Sequence, residues 1–538
     1  MLCRFTLDEV SQLDQDTSAA LSTIREWKNS FTHVNRVPLD ILSLIPTYLS
    51  SQKDRFRASF VCRHWREAFL QHGAIWSELS TGIDKTCIAT LLERAKGSAL
   101  DVTVNGGTPT ETVALFPTQQ IRYLTFPYNF WEDIIAFSET GSGLFPLLRI
   151  LEVDSAECFD PQGQLKPVTP PSRPFFKGAD DLDKFVLQSD RLQLLSHFVF
   201  PSLTTFELLT SPVRGSNVSD LLDFFKASPM LQTVNVNVNG GTALGTIPRG
   251  TVVVLPNVKH FSLRMRDYID DTGTQVYDIA ASISCPRAWR TSLVHDMRKH
   301  NMTPDLEVFP APTPWTTIVH QYTASPVELV TLEIELPEHG ASMTCDLVFV
   351  SSDMTTVKLG LEVFGAGDQD MTSQEMGCEV FSQAHSFIRS HPQLSHIKQL
   401  HVKYRTLIKD PALVLPMADE VGKLFGSMGP LDELSIEGCD IRVYLGSILD
   451  IPEFDFLDQK IVFPPIKDLT ILHPSIDDYD DEEDGDLNGV VDLAESQHAL
   501  GIPFERVEVY AEVLPEGMAE KLRQWVGVVN CREGSLEQ

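Results

Sequence analysis

Val421-Gly422-Lys423-Leu424-Phe425, then Gly429-Pro430, then Leu431-Asp432-Glu433-Leu434-Ser435-Ile436 decide how most of this chain is read. An apolar helical stretch runs into a proline turn, and a strand comes next. Within the strand, apolar residues stand at a start position, at +3 and at +5. The same template fits windows starting at Ile121, Leu148, Leu203, Leu231, Val258, Leu329, Met354, Ile397, Leu431, Ile466 and Phe504. Two properties that the template does not demand support it. Successive starts differ by 27, 55, 28, 27, 71, 25, 43, 34, 35 and 38 residues, and five of the first six lie near multiples of ~27. The +4 positions are Thr125, Glu152, Glu207, Asn235, Ser262, Glu333, Lys358, His401, Ser435, Thr470 and Glu508, all polar. Residues at +3 and +5 are therefore expected in a core while +4 faces water, as in a strand buried on one side.

Helical stretches separate these strands. Leu221–Lys226 precedes Ser228-Pro229, and Phe387-Ile388-Arg389 precedes His391-Pro392. Helix, turn and strand in repetition predict parallel strands with crossover helices. The pattern resembles a leucine-rich-repeat array. Only two windows extend to the fuller form with an asparagine or cysteine, namely Ile121 with Asn129 and Trp131, and Leu431 with Cys439 and Ile441. The repeats are divergent. A doubly wound nucleotide-binding sheet is the competing α/β reading, but Gly240-Gly241-Thr242-Ala243-Leu244-Gly245 lacks either phosphate-loop frame and reads as a loop. Proline-rich residues 158–190 and 285–319 are expected to loop out of the array.

The first eighty residues obey other rules. Residues 1–33 hold a lead-in helix, with Leu13, Ala20, Leu21, Ile24 and Trp27 on its apolar side. Residues 34–80 then contain Val37-Pro38-x-Asp40-Ile41-Leu42, Ile45 with Tyr48-Leu49-Ser50, Val61-Cys62-Arg63-x-Trp65 and Ile75-Trp76. Pro38 suits a first helical turn, and Pro46 should end or kink that helix early. A second helix is expected from about Lys53 to Cys62 with Phe56, Ser59 and Phe60 on one face. Helix continues through Leu70 until Gly73 stops it. In order and spacing these residues resemble the F-box, the three-helix motif through which substrate receptors join cullin–RING ubiquitin ligases.

That resemblance implies a binding site for the acidic linker subunit and, through it, the cullin. Matching the motif residue by residue, it carries the role of that interface or its support to Val37, Pro38, Asp40, Ile41, Leu42, Ile45, Leu49, Val61, Cys62, Trp65 and Trp76. A helical cap on the next domain is the bland alternative. The fold class is thus α/β: an N-terminal three-helix F-box followed by an irregular leucine-rich-repeat-like solenoid over 81–538. This layout resembles the fungal F-box proteins, whose C-terminal end Val491–Ala494, Gly501–Val507 and Leu522-x-x-Trp525-Val526 look like. The resemblance implies a non-catalytic, SCF-type substrate adaptor, with a ligase-independent interaction scaffold as the rival. Glu152, Glu207, Asn235, His260, Glu333, Lys358, His401 and Glu433 are outward strand positions and candidate contacts for an unknown protein substrate.

Charge and composition bound the rest. In 538 residues, 43 Lys+Arg stand against 74 Asp+Glu, a formal charge of -31, which argues against nucleic acid as a partner. Val34–Leu79 is the exception, with six basic and four acidic residues. A basic face there suits an acidic partner. No apolar run approaches the ~18 residues of a membrane helix. The nine cysteines are widely spaced without a CxxC pair, and the N-terminus lacks a secretory core, so reduced thiols in cytosol or nucleus are expected. Two sequons, Asn217-Val218-Ser219 and Asn301-Met302-Thr303, are then expected to stay unglycosylated. Eight acids crowd Asp477–Asp486. They imitate the start of a calcium loop, but Val491 stands where a bidentate glutamate belongs, so a solvated acidic loop is expected. Fifteen histidines without HExxH spacing, and no GxSxG, give no support to a metal, a cofactor or a catalytic site.

Overall fold

A computed structural model describes residues 7–32, 36–49, 51–108, 110–139, 144–155, 168, 174–189, 191–210, 217–239, 252–267, 279–298, 327–335, 342–364, 384–385, 388–389, 396–404, 423–438, 464–473, 485–511 and 514–533. Two compact units divide the chain, Met1–Val186 and Leu187–Gln538.

The first unit begins with four helices: α1 (Leu7–Ser30), α2 (Leu39–Leu42), α3 (Gln52–Ser59) and α4 (Arg63–Gln71). Strands and helices then alternate, as β1 (Glu78–Ser80), α5 (Lys85–Ala95), β2 (Leu100–Thr103), α6 (Thr110–Val113), β3 (Ile121–Asn129), α7 (Trp131–Ser138) and β4 (Ile150–Ser155). These four strands pair in parallel, each with the next. Phe126 and Phe137 pack edge to face at 5.4 Å, and Phe145 and Phe176 at 5.3 Å. Phe175 and Phe176 are fully buried although they lie within the segment expected to loop out. Residues 184–188 of that segment form β5 (Lys184–Gln188), at the boundary between the units.

The second unit runs β6 (Thr205–Thr210), α8 (Val218–Ala227), β7 (Thr233–Asn239), β8 (Val253–Val254), β9 (His260–Asp267), β10 (Ile283–Ser284), β11 (Arg290–Arg298), β12 (Val327–Glu335), β13 (Ser342–Ser351) and β14 (Thr356–Phe364). It continues with β15 (Gln399–Tyr404), β16 (Leu431–Gly438), β17 (Ile466–His473), α9 (Gly485–Ala499), β18 (Arg506–Ala511), α10 (Met518–Leu522) and β19 (Val528–Glu533). Asn217 caps α8 by accepting from the Ser219 N–H at 2.9 Å, and Leu221, Leu222, Phe224 and Phe225 bury its inner face. β8 and β10 form a separate two-strand pair between the longer strands.

Here β6, β7, β9 and β11 pair in parallel succession, and so do β12, β15, β16, β17, β18 and β19. Between the two runs the order inverts, β11–β14–β13–β12, with β13 antiparallel to both neighbours. The result is a mixed α/β architecture with a large, mostly parallel sheet. All eleven template windows fall on strands. Leu434, Leu469, Val507 and their described counterparts are buried, while the described +4 residues lie half-buried or exposed on the other face. The stretch 285–319 departs from expectation, because residues 290–298 are β11, central to the sheet; 299–319 lie outside the described residues.

Acids and bases alternate where the later strands begin. Lys398 Nζ pairs with Glu328 at 2.8 Å, Lys467 pairs with Asp432, and Arg506 pairs with Asp468 at 2.5 Å. These pairs are exposed and each contributes little energy. Alternating signs on adjacent strands nevertheless penalise a slipped register.

Candidate partner-docking site

Pro38 begins the motif. Its carbonyl accepts from the Leu42 N–H at 2.9 Å, and its ring sits outside the turn where an N–H is dispensable. Pro46 is buried at the start of a separate 3₁₀ turn, Ile45–Tyr48, so the first helix is as short as expected. The second helix ends at Ser59, three residues sooner than its sequence suggested. Cys62 is extended and caps α4 from outside, and is not part of a helix as expected. Phe60, expected to share one face with Phe56 and Ser59, is exposed, whereas Phe56 is half-buried and Ser59 buried.

Long-range contacts hold these short helices together. His64 Nε2 lies 3.1 Å from the Val37 carbonyl, tying α4 to the residues that enter α2. Arg55 Nε donates to the Leu49 carbonyl at 3.0 Å, and its Nη1 meets Glu78 at 2.6 Å. Trp76 is buried in the closing 3₁₀ turn. Its indole N–H donates to the Phe69 carbonyl at 2.9 Å, Phe56 meets it edge-on at 5.2 Å, and Arg94 lies over it at 5.0 Å. Trp65 stacks at 5.9 Å on Phe69, its indole N–H buried without an acceptor.

This scaffold sorts the residues that the motif singled out. Leu42 and Trp76 are wholly buried and act as support. Val37, Ile45, Leu49, Cys62 and Trp65 are half-buried. Pro38, Asp40, Ile41 and Val61 are exposed, Ile41 at 49% and Val61 at 60%. Sequence reasoning missed three members of the exposed set: Leu44, Tyr48 at 86%, and Phe60 at 68%. Tyr48 was legible in the motif itself; Leu44 carried no signal. Exposed apolar surface of this extent on a small helical unit is of the kind found at interaction sites. Lys53, Arg57, Arg63 and Arg66 are exposed in the same unit, so its surface is basic as well as apolar.

The candidate substrate residues lie on strand faces. In the first unit, Ser80, Thr103, Thr125 and Glu152 share one register row, and Tyr123 Oη donates to Glu152 at 2.5 Å. In the second unit a single row crosses twelve strands: Glu207, Asn235, Ser262, Ser292, Lys358, Val348, Thr331, His401, Ser435, Thr470, Glu508 and Asn530. Glu207, Asn235, Lys358 and His401 thus belong to one line. His260 stands in the row before it, ring to ring with Trp289 at 4.8 Å, as does Glu433, 3.5 Å from His401. Glu333 takes a place in the row after, beside Lys403. Across the three rows of this unit, seven acids stand against six bases. This face is not where the charge of -31 resides.

Among the described residues no cluster of three His, Cys, Asp or Glu could hold a metal, and no helix is long and apolar enough to cross a membrane. Val491, the residue standing where a calcium ligand would be needed, is buried within α9. Residues 477–484 of the acidic run lie outside the described residues, as do Cys439 and Ile441.

An F-box-like family model matches residues 34–81, the span of these short helices and their closing turn. No curated protein matches the chain. The chain carries an F-box-like domain, and F-box domains bind the linker subunits of SCF-type ubiquitin ligases.

Proposed function

We propose that this protein is a non-catalytic substrate adaptor of a cullin–RING ubiquitin ligase. Its F-box-like domain binds the acidic linker subunit and, through it, the cullin. Its strand face holds a protein substrate near the charged ubiquitin, raising effective concentration without chemistry of its own. One observation carries the reading: within the matched span, Pro38, Ile41, Tyr48, Phe60 and Val61 lie exposed over a buried Leu42 and Trp76 scaffold. We read the strand array as a divergent leucine-rich-repeat solenoid. Successive parallel strands favour this, as does buried Asn129, whose Nδ2 donates to the Val104 carbonyl at 2.5 Å on the neighbouring strand segment. Free cysteines at 62, 87, 285, 345 and 531 suit the cytosol or nucleus.

Co-purification of the full chain with linker subunit and cullin tests the proposal. Ile41→Asp and Val61→Asp place charge on exposed apolar sites, so they should abolish capture and leave the melting temperature unchanged. Leu42→Ala should lower stability by about 2–5 kcal/mol, because a fully buried side chain is removed. Capture of the linker without the cullin would favour the ligase-independent scaffold. Undiminished capture by both Asp variants would remove the site.

A further inference from the structure

Helix α1 precedes the F-box-like helices and has a patterned apolar stripe. Val10, Leu13, Thr17, Ala20, Ile24, Trp27 and Phe31 succeed one another at intervals of three and four residues, the heptad seam of a two-helix coil. All described side chains of α1 are exposed, including Trp27 at 66%, which meets Phe31 edge-on at 4.9 Å. Leu21 stands beside this seam and is likewise exposed, at 48%.

We propose that α1 pairs with α1 of a second copy of this chain, in antiparallel orientation. Charge selects both the partner and the direction. Asp8, Glu9, Asp14 and Asp16 make the first half of the helix strongly acidic, while the last turns carry Arg25 and Lys28 against a single acid, Glu26. A parallel pair would set the acidic ends side by side. Reversing one copy places each acidic end beside the other copy's basic end, so the segment complements itself.

Side-chain sizes agree with the reversed register. Trp27 then meets Val10, Ile24 meets Leu13, and Thr17 meets Ala20, so large layers flank a thin centre where the helices approach closely. Twenty-four residues give a seam of about 36 Å. Trp and Phe bury about 150–250 Å² each. Two copies of both, with the aliphatic residues added, bring the buried area to the order of 1,000 Å², the lower bound for a specific interface. Repulsion between two chains of -31 is screened beyond ~8 Å at physiological ionic strength.

Sedimentation equilibrium of the purified full chain, from low to high micromolar concentration, provides the test. The expected mass rises toward twice 60.1 kDa. Leu13→Asp combined with Ile24→Asp should weaken the dimer at least about 100-fold while the melting temperature holds, since both residues are exposed in one copy. Mixing a Val10→Cys chain with a Trp27→Cys chain should, on mild oxidation, give a disulfide joining positions 10 and 27, identified by peptide mass spectrometry. A monomer at every concentration would overturn the proposal, as would a dimer unaffected by the double Asp change. Cross-linking of position 10 to itself would overturn the antiparallel arrangement.

Discussion

Gly73 offers a sharp test of how the F-box-like helices are joined to β1 and α5. Sequence alone makes it a helix stop, and a glycine chosen only for that purpose should tolerate alanine. Alanine would even be favoured in the turn by up to ~1 kcal/mol. The structure says otherwise. A methyl group at position 73 would fall inside the envelope of the Ala95 carbonyl oxygen and 2.7 Å from Ser98 Oγ. That carbonyl cannot swing aside freely, because it belongs to the last residue of α5 and accepts from the Ser98 N–H at 2.9 Å. Relief requires moving the end of α5 or the 3₁₀ turn Gly73–Trp76, and that turn carries the buried Trp76. Overpacking against backbone costs about 2–3 kcal/mol. For a unit of this size, each kcal/mol lowers the melting temperature by about 2–4 °C, so Gly73→Ala should shift the first calorimetric transition down by roughly 4–12 °C. Gly97, at φ 77° with open space around it, is the control, and alanine there should cost only its backbone strain of about 1 kcal/mol. A Gly73→Ala protein that melts at or above the parent temperature would refute the close approach.

Two further outcomes arise from buried polar groups in the first unit. Burial first, and the hydrogen bond to Glu152 second, hold the Tyr123 hydroxyl above the usual tyrosine range. Because the folded value is raised, this contribution is complete below the unfolded value near 10 and is lost as pH climbs beyond it. Melting temperatures between pH 9 and 11.5 should therefore fall less steeply for Tyr123→Phe than for the parent, and parallel slopes would count against the assignment. Asn129→Ala should cost about 2–4 kcal/mol by thermal unfolding, since it removes donors from the Val104 and Pro127 carbonyls and leaves a cavity. Asn129→Asp should be at least as damaging, because a carboxylate would face those same oxygens; parental stability in that variant would deny the bonds.

Most of the strand array was legible because burial on one face leaves period-two alternation in the sequence. The failures have specific causes. The gaps of 55 and 71 residues in the spacing series each hold a further strand, β5 and β11. Leu182, Phe185 and Leu187 keep the 0, +3, +5 spacing at β5, but Val186 stands at the otherwise polar +4, and the prolines before it suggested a loop. At β11 the corresponding residues are Ala288, Thr291 and Leu293, and a fully buried threonine does not read as core. β13 is invisible to any template built on parallel repeats, because it enters as an antiparallel strand between β12 and β14. In the F-box-like domain the motif named the right segment but not the sides of its helices. Leu42 and Ile41 are neighbours of similar hydropathy, and only the short helix and the early 3₁₀ turn decide which is buried.

The distribution of charge constrains how the strand face could hold a substrate. A chain of -31 invites the idea of a basic partner drawn to an acidic array, but the face of the second unit is close to neutral, and several of its charges pair with one another. Lys358 pairs with Asp346 at 2.6 Å, Lys403 with Glu437 at 3.1 Å, and Arg506 with Asp468 at 2.5 Å. Replacing such a pair with an intermolecular one exchanges like for like and gains little. The central row is instead dominated by short hydroxyl and amide side chains, Asn235, Ser262, Ser292, Thr331, Ser435, Thr470 and Asn530. Short side chains leave a shallow track along which a partner's backbone can approach, and their hydroxyls both donate and accept. A substrate bound on this face would therefore be selected by shape and hydrogen bonding.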